Sequence, residues 1–108
     1  MSKKAVYQKE KEKLTEIFKD VEESKRKLVE GLIEDACFLK SENYDLKVIL
    51  VEIGMVNIHP KNKQLQKPVE AARQYLKNVN SYAVIIKTLN SVLSKNILED
   101  DDDLDEFV

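Results

Sequence analysis

Few residues of this chain have the types and spacing that catalysis or metal binding requires. The single histidine, His59, stands beside Pro60 and has no cysteine or second histidine with which to share a metal ion. Cys37 is the only cysteine, so the 108 residues hold no internal disulfide, which is typical of a reducing cytoplasm. The glycines, Gly31 and Gly54, are too far apart to form a glycine-rich phosphate loop. The sequence therefore predicts a protein that is not an enzyme and uses no metal or cofactor.

The distribution of charge indicates binding instead. Residues 99–108 carry seven acids and no base. Since the chain has 20 acids and 18 bases in all, residues 1–98 carry 13 acids and 18 bases, a net charge of +5. Lysine and arginine at about phosphate spacing attract the DNA backbone regardless of sequence. The candidate DNA-binding residues form two clusters, which are Lys25, Arg26, Lys27 and Lys61, Lys63, Lys67. Taken alone, each cluster is also what an ordinary solvated helix face or loop would show.

The acidic end of the chain could bind a protein partner. Acids that flank apolar residues suit a peptide that charge steers to a basic groove and that an apolar side chain anchors. The candidate residues are Asp100, Asp101, Asp102, Asp103, Leu104, Phe107 and Val108. The alternative is a solubilising tail that keeps the basic residues 1–98 from binding unrelated polyanions. Residues 96–108 are expected to be disordered when free, because they bury too little area to offset their ordering entropy.

One long helix, predicted from Pro68 to Leu93, organises the chain. Its residues recur at spacings of three and four, which is typical of a heptad seam, and the seam consists of Val69, Ala72, Leu76, Val79, Ala83, Ile86, Asn90 and Leu93. A second apolar row lies beside the seam and consists of Tyr75, Tyr82, Ile85, Leu89 and Val92. Two rows are too wide for a two-stranded coiled coil, and one small domain cannot cover both, so we expect copies to share them. The candidate oligomerisation residues are Val69, Ala72, Leu76, Val79, Tyr82, Ala83, Ile86, Leu89, Asn90 and Leu93, with Asn90 as a polar residue that sets the register. A break near residues 78–81 is an alternative.

The rest of the chain also favours helices. Two glycines and two prolines leave few turns, which predicts an all-α fold with a helical hairpin-like core and the long C-terminal helix that oligomerises. Residues 1–13 form a charged arm or the exposed start of a helix, residues 14–95 the folded domain, and residues 96–108 the acidic tail.

Within the folded domain, a periodic helix is predicted from Leu14 to Lys40, either continuous or in two pieces that meet at a weak point at residues 20–24. Gly31 is placed for close approach of another helix. A short turn, or the N-cap of a new helix, is expected at residues 41–43. Residues 44–53 could be a strand, but Gly54 is placed to end a helix in a left-handed conformation, which favours helix. The following segment, through residue 58, should be extended, since it leads into Pro60.

The order and spacing of these pieces resembles the small terminase subunits of tailed bacteriophages. The segments that carry the resemblance are LVEGLIEDACFL at residues 28–39, an apolar segment ending at Gly54, IHPKN at residues 58–62, and a helix ending in IKTLNSVL at residues 86–93. It covers about residues 14–98. The most similar group is the short, all-helical one from phages and prophages of Gram-positive bacteria.

The resemblance implies a non-catalytic subunit of the viral genome-packaging motor. Such subunits form ring-shaped homo-oligomers, recognise double-stranded viral DNA in the host cytoplasm, and bring it to the large ATPase and nuclease subunit. Many carry an N-terminal helix-turn-helix, and residues 1–13 are too short for one. This departure favours contacts to the DNA backbone, or DNA bent around a ring. The alternative is a helical adaptor that forms a monomer or dimer and retains no DNA. No apolar run approaches the roughly 18 residues of a membrane span, so no membrane partner is expected.

Overall fold

The computed structural model describes the backbone of residues 1–100 and the side chains of residues 1–95. Over this range the chain is mostly helical, with one small antiparallel sheet. The elements in chain order are α1 (Lys3–Ile17), α2 (Glu23–Ile53), β1 (Val56–Ile58), β2 (Gln66–Pro68) and α3 (Glu70–Asp100).

Helix α1 begins well before the point at which periodicity starts in the sequence. Its N-terminus is capped by Ser2, whose hydroxyl oxygen accepts a hydrogen bond from the backbone N–H of Ala5 at 3.1 Å. The helix passes continuously through residue 13, so of the two alternatives predicted for residues 1–13 the structure has the start of a helix, and the helix buries Glu10 and Leu14. It ends where apolar residues become sparse, and the helix predicted from residue 14 to residue 40 is therefore two helices with a turn at residues 18–22.

Helix α2 continues through the turn predicted at residues 41–43, so that prediction is wrong. Ser41 is buried there, and its hydroxyl donates to the carbonyl of Phe38 at 2.8 Å, which satisfies the group without breaking the helix. Residues 44–53 are helical, which confirms helix over strand. Helix α2 ends at Gly54, which has a positive φ of 78°. Within the chain, no other helix approaches Gly31 closely as predicted, because a Cβ built there would meet nothing within 4 Å.

A short β-hairpin joins α2 to α3. Val56 pairs with Pro68 and Ile58 with Gln66 in antiparallel register, so Pro68 lies in a strand and not in the first turn of a helix as predicted. His59 organises the loop, since its Nδ1 accepts hydrogen bonds from the backbone N–H groups of Lys61 at 3.1 Å and Asn62 at 3.2 Å. Helix α3 then runs back along α2 without the break considered near residues 78–81.

Helix α2 packs against both α1 and α3, but the main core lies at one end. We call residues 3–41 and 82–95 the three-helix end, and residues 46–79 the hairpin end. The buried core cluster belongs to the three-helix end and consists of Leu14, Phe18, Val21, Val29, Ile33, Ala36, Cys37 and Leu89. At the hairpin end only Leu50, Ala72 and Asn78 are buried. The fold is thus well covered at one end and open at the other.

Candidate interaction surfaces

The hairpin end exposes an unusual amount of apolar surface. Ten of the exposed large hydrophobic side chains lie there, and Val51 is 78% exposed. We call this set the hairpin-end apolar surface, and its members are Val48, Ile49, Val51, Ile53, Met55, Val56, Ile58, Leu65, Leu76 and Val79. Monomeric proteins rarely expose contiguous apolar patches larger than a few hundred Å² unless the patch binds something. This surface is therefore the first candidate for a protein contact.

The apolar residues at the end of α2 surround the helix instead of forming one stripe. Leu50 is buried, and at about 100° per residue Ile49 and Val51 project to its opposite flanks. Val48 lies close to the far side from Leu50. A helix that is apolar all round is typically buried on all sides. In the single chain only one side of this segment is covered, so it offers two flanks for contact.

The candidate oligomerisation residues of α3 divide into two groups. Tyr82 and Leu89 pack in the core of the three-helix end, where Leu89 is only 2% exposed, and Ala72 is buried at the hairpin end. Leu76 is 50% exposed and Val79 is 39% exposed. Ala83 and Asn90 are also exposed, while Val69, Ile86 and Leu93 are half-buried. The chain thus covers the second apolar row and leaves much of the heptad seam open.

A polar layer that the sequence analysis did not identify joins α2 to α3 between the two ends. Asn78 is buried, and its amide donates to Oδ1 of Asn43 at 2.9 Å while accepting from Nε2 of Gln74 at 2.8 Å. The Asn43 amide also donates to the Tyr75 carbonyl at 3.4 Å. A buried amide that is satisfied by amides on both helices fixes the register of packed helices, which is the role predicted for the exposed Asn90. The signal in the sequence was the position of Asn78 on the second apolar row.

Tyr82 holds α1 to α3. Its hydroxyl donates to the buried carboxylate of Glu10, at 3.4 Å from Oε1 and 3.3 Å from Oε2, and Lys13 forms an ion pair with the same carboxylate. The ammonium group of Lys40 lies 5.2 Å from the centre of the Tyr82 ring. Burial, together with the neighbouring Glu10, raises the pKa of Tyr82 to about 12. Tyr82 is therefore engaged within its own chain.

Cys37 is packed in the core beside this cluster. It is fully buried, and burial raises the pKa of its thiol. A buried thiol of raised pKa is a poor nucleophile, so Cys37 acts as a small apolar residue.

The two basic clusters lie at opposite ends of the molecule. Residues 25–27 are in the first turns of α2, whereas Lys61, Lys63 and Lys67 are exposed on the hairpin. Helix α2 separates them by about 44 Å, at 1.5 Å per residue from Lys25 to Gly54. Lys27 is close to Glu23, at 3.7 Å. The clusters therefore cannot form one patch within a single chain.

A cleft of about 410 Å³ opens between α1 and the first half of α2. Its floor contains Phe18, Val29 and Ile33. Its rim is basic toward the start of α2 and acidic farther along, and the rim residues are Lys11, Thr15, Lys19, Glu23, Arg26, Lys27, Glu30 and Glu34. The cleft thus combines an apolar floor with two of the candidate DNA-binding residues.

Helix α3 ends next to this region. Val92 and Lys95 line a smaller cavity together with Lys25, Leu28 and Val29, so the last described side chains of α3 lie beside the start of α2. Asp100 is the final residue of α3. The other candidate partner-binding residues, in the range 101–108, lie outside the described residues.

Within residues 1–100, no group of three or more His, Cys, Asp or Glu side chains is placed to hold a metal ion. The described helices also include none with the length and apolar content needed to cross a bilayer. In comparisons with known proteins, no family model, no curated protein and no solved structure matches the chain. The resemblance to small terminase subunits accordingly stays a prediction that depends on the sequence segments quoted above.

Proposed function

We propose that this chain is a non-catalytic, self-associating DNA-binding protein that acts as the small subunit of a phage terminase and brings double-stranded viral DNA to the large ATPase and nuclease subunit. The observation that carries the proposal is the hairpin-end apolar surface, which a second copy would cover. The terminase assignment itself depends on the order and spacing of the sequence segments.

The arrangement of apolar residues on α2 favours a ring over a dimer. In a ring each copy contacts two neighbours through two different patches, whereas a two-fold dimer uses one patch twice. Ile49 and Val51 project to opposite flanks of α2, and both are exposed. Two apolar flanks on one helix suit contacts to a preceding and a following copy.

The hairpin supports the DNA-binding part of the proposal. Lys61, Lys63 and Lys67 are exposed and lie at the same end as the hairpin-end apolar surface. Self-association through that surface would repeat these three charges once per copy. Weak phosphate contacts that are held together in this way bind with a far higher combined affinity than one copy alone.

The self-association is tested by light scattering of the purified protein and of three single variants. Wild type should contain several copies, and both Ile49→Glu and Val51→Glu should be monomeric, because either charge disrupts one side of a two-sided contact. Leu28→Glu is the matched control, since Leu28 is 81% exposed but belongs to the three-helix end. Circular dichroism should show unchanged helix content for all three variants. A wild-type monomer at high concentration would refute the proposal, and a wild-type dimer would refute the ring.

DNA binding is tested by measuring affinity for duplex DNA against salt concentration. The logarithm of the affinity should fall linearly with the logarithm of salt concentration, by about 0.9 per phosphate contacted. Lys61→Glu combined with Lys63→Glu should weaken binding and reduce this slope. A protein that self-associates but retains no DNA would instead be the helical adaptor.

The terminase role is tested by removing residues 99–108. Loss of large-subunit binding on this removal would support the terminase role, and unchanged binding would show that the tail does not bind the large subunit.

A further inference from the structure

The outer side of α2 carries a row of residues that is mostly open to solvent. It starts at Gly31, where a Cβ would meet nothing within 4 Å, and it includes Phe38, which is 55% exposed. It continues to Ile49, so it extends the hairpin-end apolar surface along the three-helix end. At about 100° per residue, all of its members lie within about 40° of Gly31 around the helix axis. We call this row the α2 stripe, and its residues are Gly31, Asp35, Phe38, Glu42, Asp45 and Ile49.

The α2 stripe is acidic between its apolar residues. Asp35 is exposed and forms no ion pair within the part of the chain whose side chains are described. Glu42 and Asp45 share the ammonium group of Lys3, at 2.7 Å and 3.7 Å. Three acids thus lie along the stripe against one base from α1. A surface that packs against the α2 stripe should therefore be basic.

The outer side of α3 carries a row of the opposite charge. Its members lie within about 40° of Ser91 around the helix axis, on the side of α3 that faces away from the buried Ala72 and Leu89. All are exposed, and Val84 is 63% exposed. The row contains three bases and no acid. We call it the α3 stripe, and its residues are Arg73, Lys77, Asn80, Val84, Lys87 and Ser91.

The two stripes match in one antiparallel register. Along α2 from Gly31, and along α3 backwards from Ser91, the intervals between residues are four, three, four, three and four. Each stripe is about 27 Å long at 1.5 Å per residue. The opposed pairs are Gly31 with Ser91, Asp35 with Lys87, Phe38 with Val84, Glu42 with Asn80, Asp45 with Lys77 and Ile49 with Arg73.

The chemistry of the pairs selects this register. The two smallest residues meet, the two large exposed apolar residues of the three-helix end meet, and each aspartate meets a lysine. A shift of α3 by seven residues would place Phe38 opposite Lys77 in one direction and opposite Ser91 in the other. One turn beyond the contact Lys27 would approach Lys95, but Glu23 lies 3.7 Å from Lys27, and packed helices that cross diverge there.

We propose that the α3 stripe of one copy packs in this register against the α2 stripe of the next copy, a proposal that rests on the self-association proposed above and names its surfaces. Within a chain α3 runs back along α2. Copies related by rotation about an axis parallel to the helices therefore also place α2 of one copy antiparallel to α3 of the next. Each copy uses its α2 stripe toward one neighbour and its α3 stripe toward the other.

The same arrangement leaves Leu28 outside the contact. Leu28 lies about 60° from Gly31 around α2, toward its own α3, and lines a small cavity with Val92 of that helix. The exposed apolar residues Phe38 and Val84, in contrast, become covered by the neighbouring copy.

The first test exchanges one pair of charges in the full chain. Light scattering over a dilution series measures the concentration at which half of the protein is assembled. Asp35→Lys and Lys87→Asp each place like charges opposite one another, so each should weaken assembly at least about tenfold. The variant with both changes restores an opposite pair between copies and should assemble within about threefold of wild type.

A matched control has the same net charge as the exchanged variant. It combines Asp35→Lys with Lys9→Asp, and Lys9 is exposed on α1. Because Lys87 then still faces a lysine, this control should assemble as weakly as Asp35→Lys alone. Circular dichroism should show the helix content of wild type in all four variants.

The second test joins the apolar pair by a disulfide. A chain with Phe38→Cys and Val84→Cys should form, on oxidation, a ladder of linked copies beyond the dimer on a non-reducing gel. Each single variant should stay unlinked, because residue 38 of one copy meets residue 84 of the next and not its own counterpart. Wild type is the blank, since its one cysteine, Cys37, is buried.

The outcomes separate this contact from the self-association itself. A wild-type monomer at high concentration would overturn both proposals. An assembled wild type without charge rescue or without a ladder would overturn the contact between the stripes and leave self-association at the hairpin end standing. Linkage of Phe38→Cys alone would place two α2 stripes against each other, and linkage that stops at the dimer would mean a two-fold contact; either result contradicts the proposal.

Discussion

The two ends of the molecule are built from the same two helices and differ in what covers them. At the three-helix end, α1 completes a core in which Phe18, Val29 and Leu89 are almost fully buried. At the hairpin end, α2 and α3 have only each other. Helix α1 has 15 residues and α2 has 31, which correspond to about 22 Å and about 46 Å. The difference between the ends is therefore one of helix length.

The position of the first residue of α1 explains where the exposed apolar residues of α2 begin. Lys3, the first residue of α1, pairs with Glu42 at 2.7 Å and Asp45 at 3.7 Å on α2. The exposed large hydrophobic residues of this part of α2 begin directly afterwards, at Val48. One side of the first stretch of α2 is thus covered by α1, and the next stretch has no such cover within the chain.

The largest expected effect is on the free energy of unfolding, and it distinguishes residues needed for folding from residues proposed for association. Phe18→Ala should lower the free energy of unfolding by about 3–5 kcal/mol, because it leaves a cavity in the only three-helix core. Val51→Ala should change it by less than about 0.5 kcal/mol in dilute protein, because Val51 is exposed in the single chain. Urea unfolding at several protein concentrations measures both effects. The Val51→Ala effect should grow with concentration, and one that stays constant would argue against self-association at the hairpin end.

The polar layer between the ends gives the next effect. Asn78→Ala should cost about 1–3 kcal/mol, because it leaves the amides of Asn43 and Gln74 without their partner in a part-buried site. Asn90→Ala is the control, and since Asn90 is exposed it should cost less than about 0.5 kcal/mol. Urea unfolding measures the free energy of unfolding of both variants, and light scattering measures the number of copies in each. If Asn90→Ala changes the number of copies, Asn90 is the register residue between chains that the heptad pattern predicts.

The two glycines should respond with opposite signs. Gly54 has φ 78° and ψ 170°, a region that only glycine adopts easily, so Gly54→Ala should destabilise by about 1–2 kcal/mol. Gly31 lies inside α2 with open space at its Cβ position, so Gly31→Ala should stabilise by about 0.5–1 kcal/mol. Thermal unfolding followed by circular dichroism measures both. A destabilised Gly31→Ala variant would show that another molecule approaches the three-helix end closely at this residue.

The last prediction, of similar size, concerns the contact between α1 and α3. Tyr82→Phe should cost about 1 kcal/mol at neutral pH by removing the hydrogen bond to Glu10. The pKa of Tyr82 is raised from its usual value of 10.0 to about 12, so this tyrosine contributes stability below pH 10 that is lost as the pH rises toward 12. Wild type should therefore lose more stability than Tyr82→Phe between pH 9 and pH 12. If the stability of the two proteins changed in parallel across that range, the pKa of Tyr82 would not be raised in solution, and neither its burial nor its contact with Glu10 would be as described.

Local patterns in the sequence predicted most of the helices. Periodicity identified α2 and α3, and Gly54 marked the end of α2 because glycine adopts a positive φ at little cost. Helix α1 was harder to define because its buried residues include Glu10, whose partner Tyr82 is 72 positions away. Strand β2 was missed because Gln66–Pro68 has neither alternation nor strong strand propensity. The spacing of residues in a single sequence does not reveal a distant contact such as that between Glu10 and Tyr82.

The candidate surfaces, like the helices, were predicted only in part from the sequence. The surplus apolar surface was predicted from the width of the stripe on α3, and the exposure of Leu76 and Val79 agrees with it. Its extension onto α2 was not predicted, because the apolar residues there could equally have been covered by the chain's own fold. The basic clusters were found by composition, but their separation by the length of α2 required the three-dimensional arrangement.

In the assembly proposed above, the difference in length between α1 and α2 would set how far the contact surface of each copy extends. Whole helical turns, about 3.6 residues and 5.4 Å each, could be gained or lost together in α2 and α3 beyond the reach of Lys3 without changing a single core contact. Each added turn would widen the strip that one copy presents to the next. The span of the assembled particle could then evolve independently of the part of the chain that makes each subunit fold.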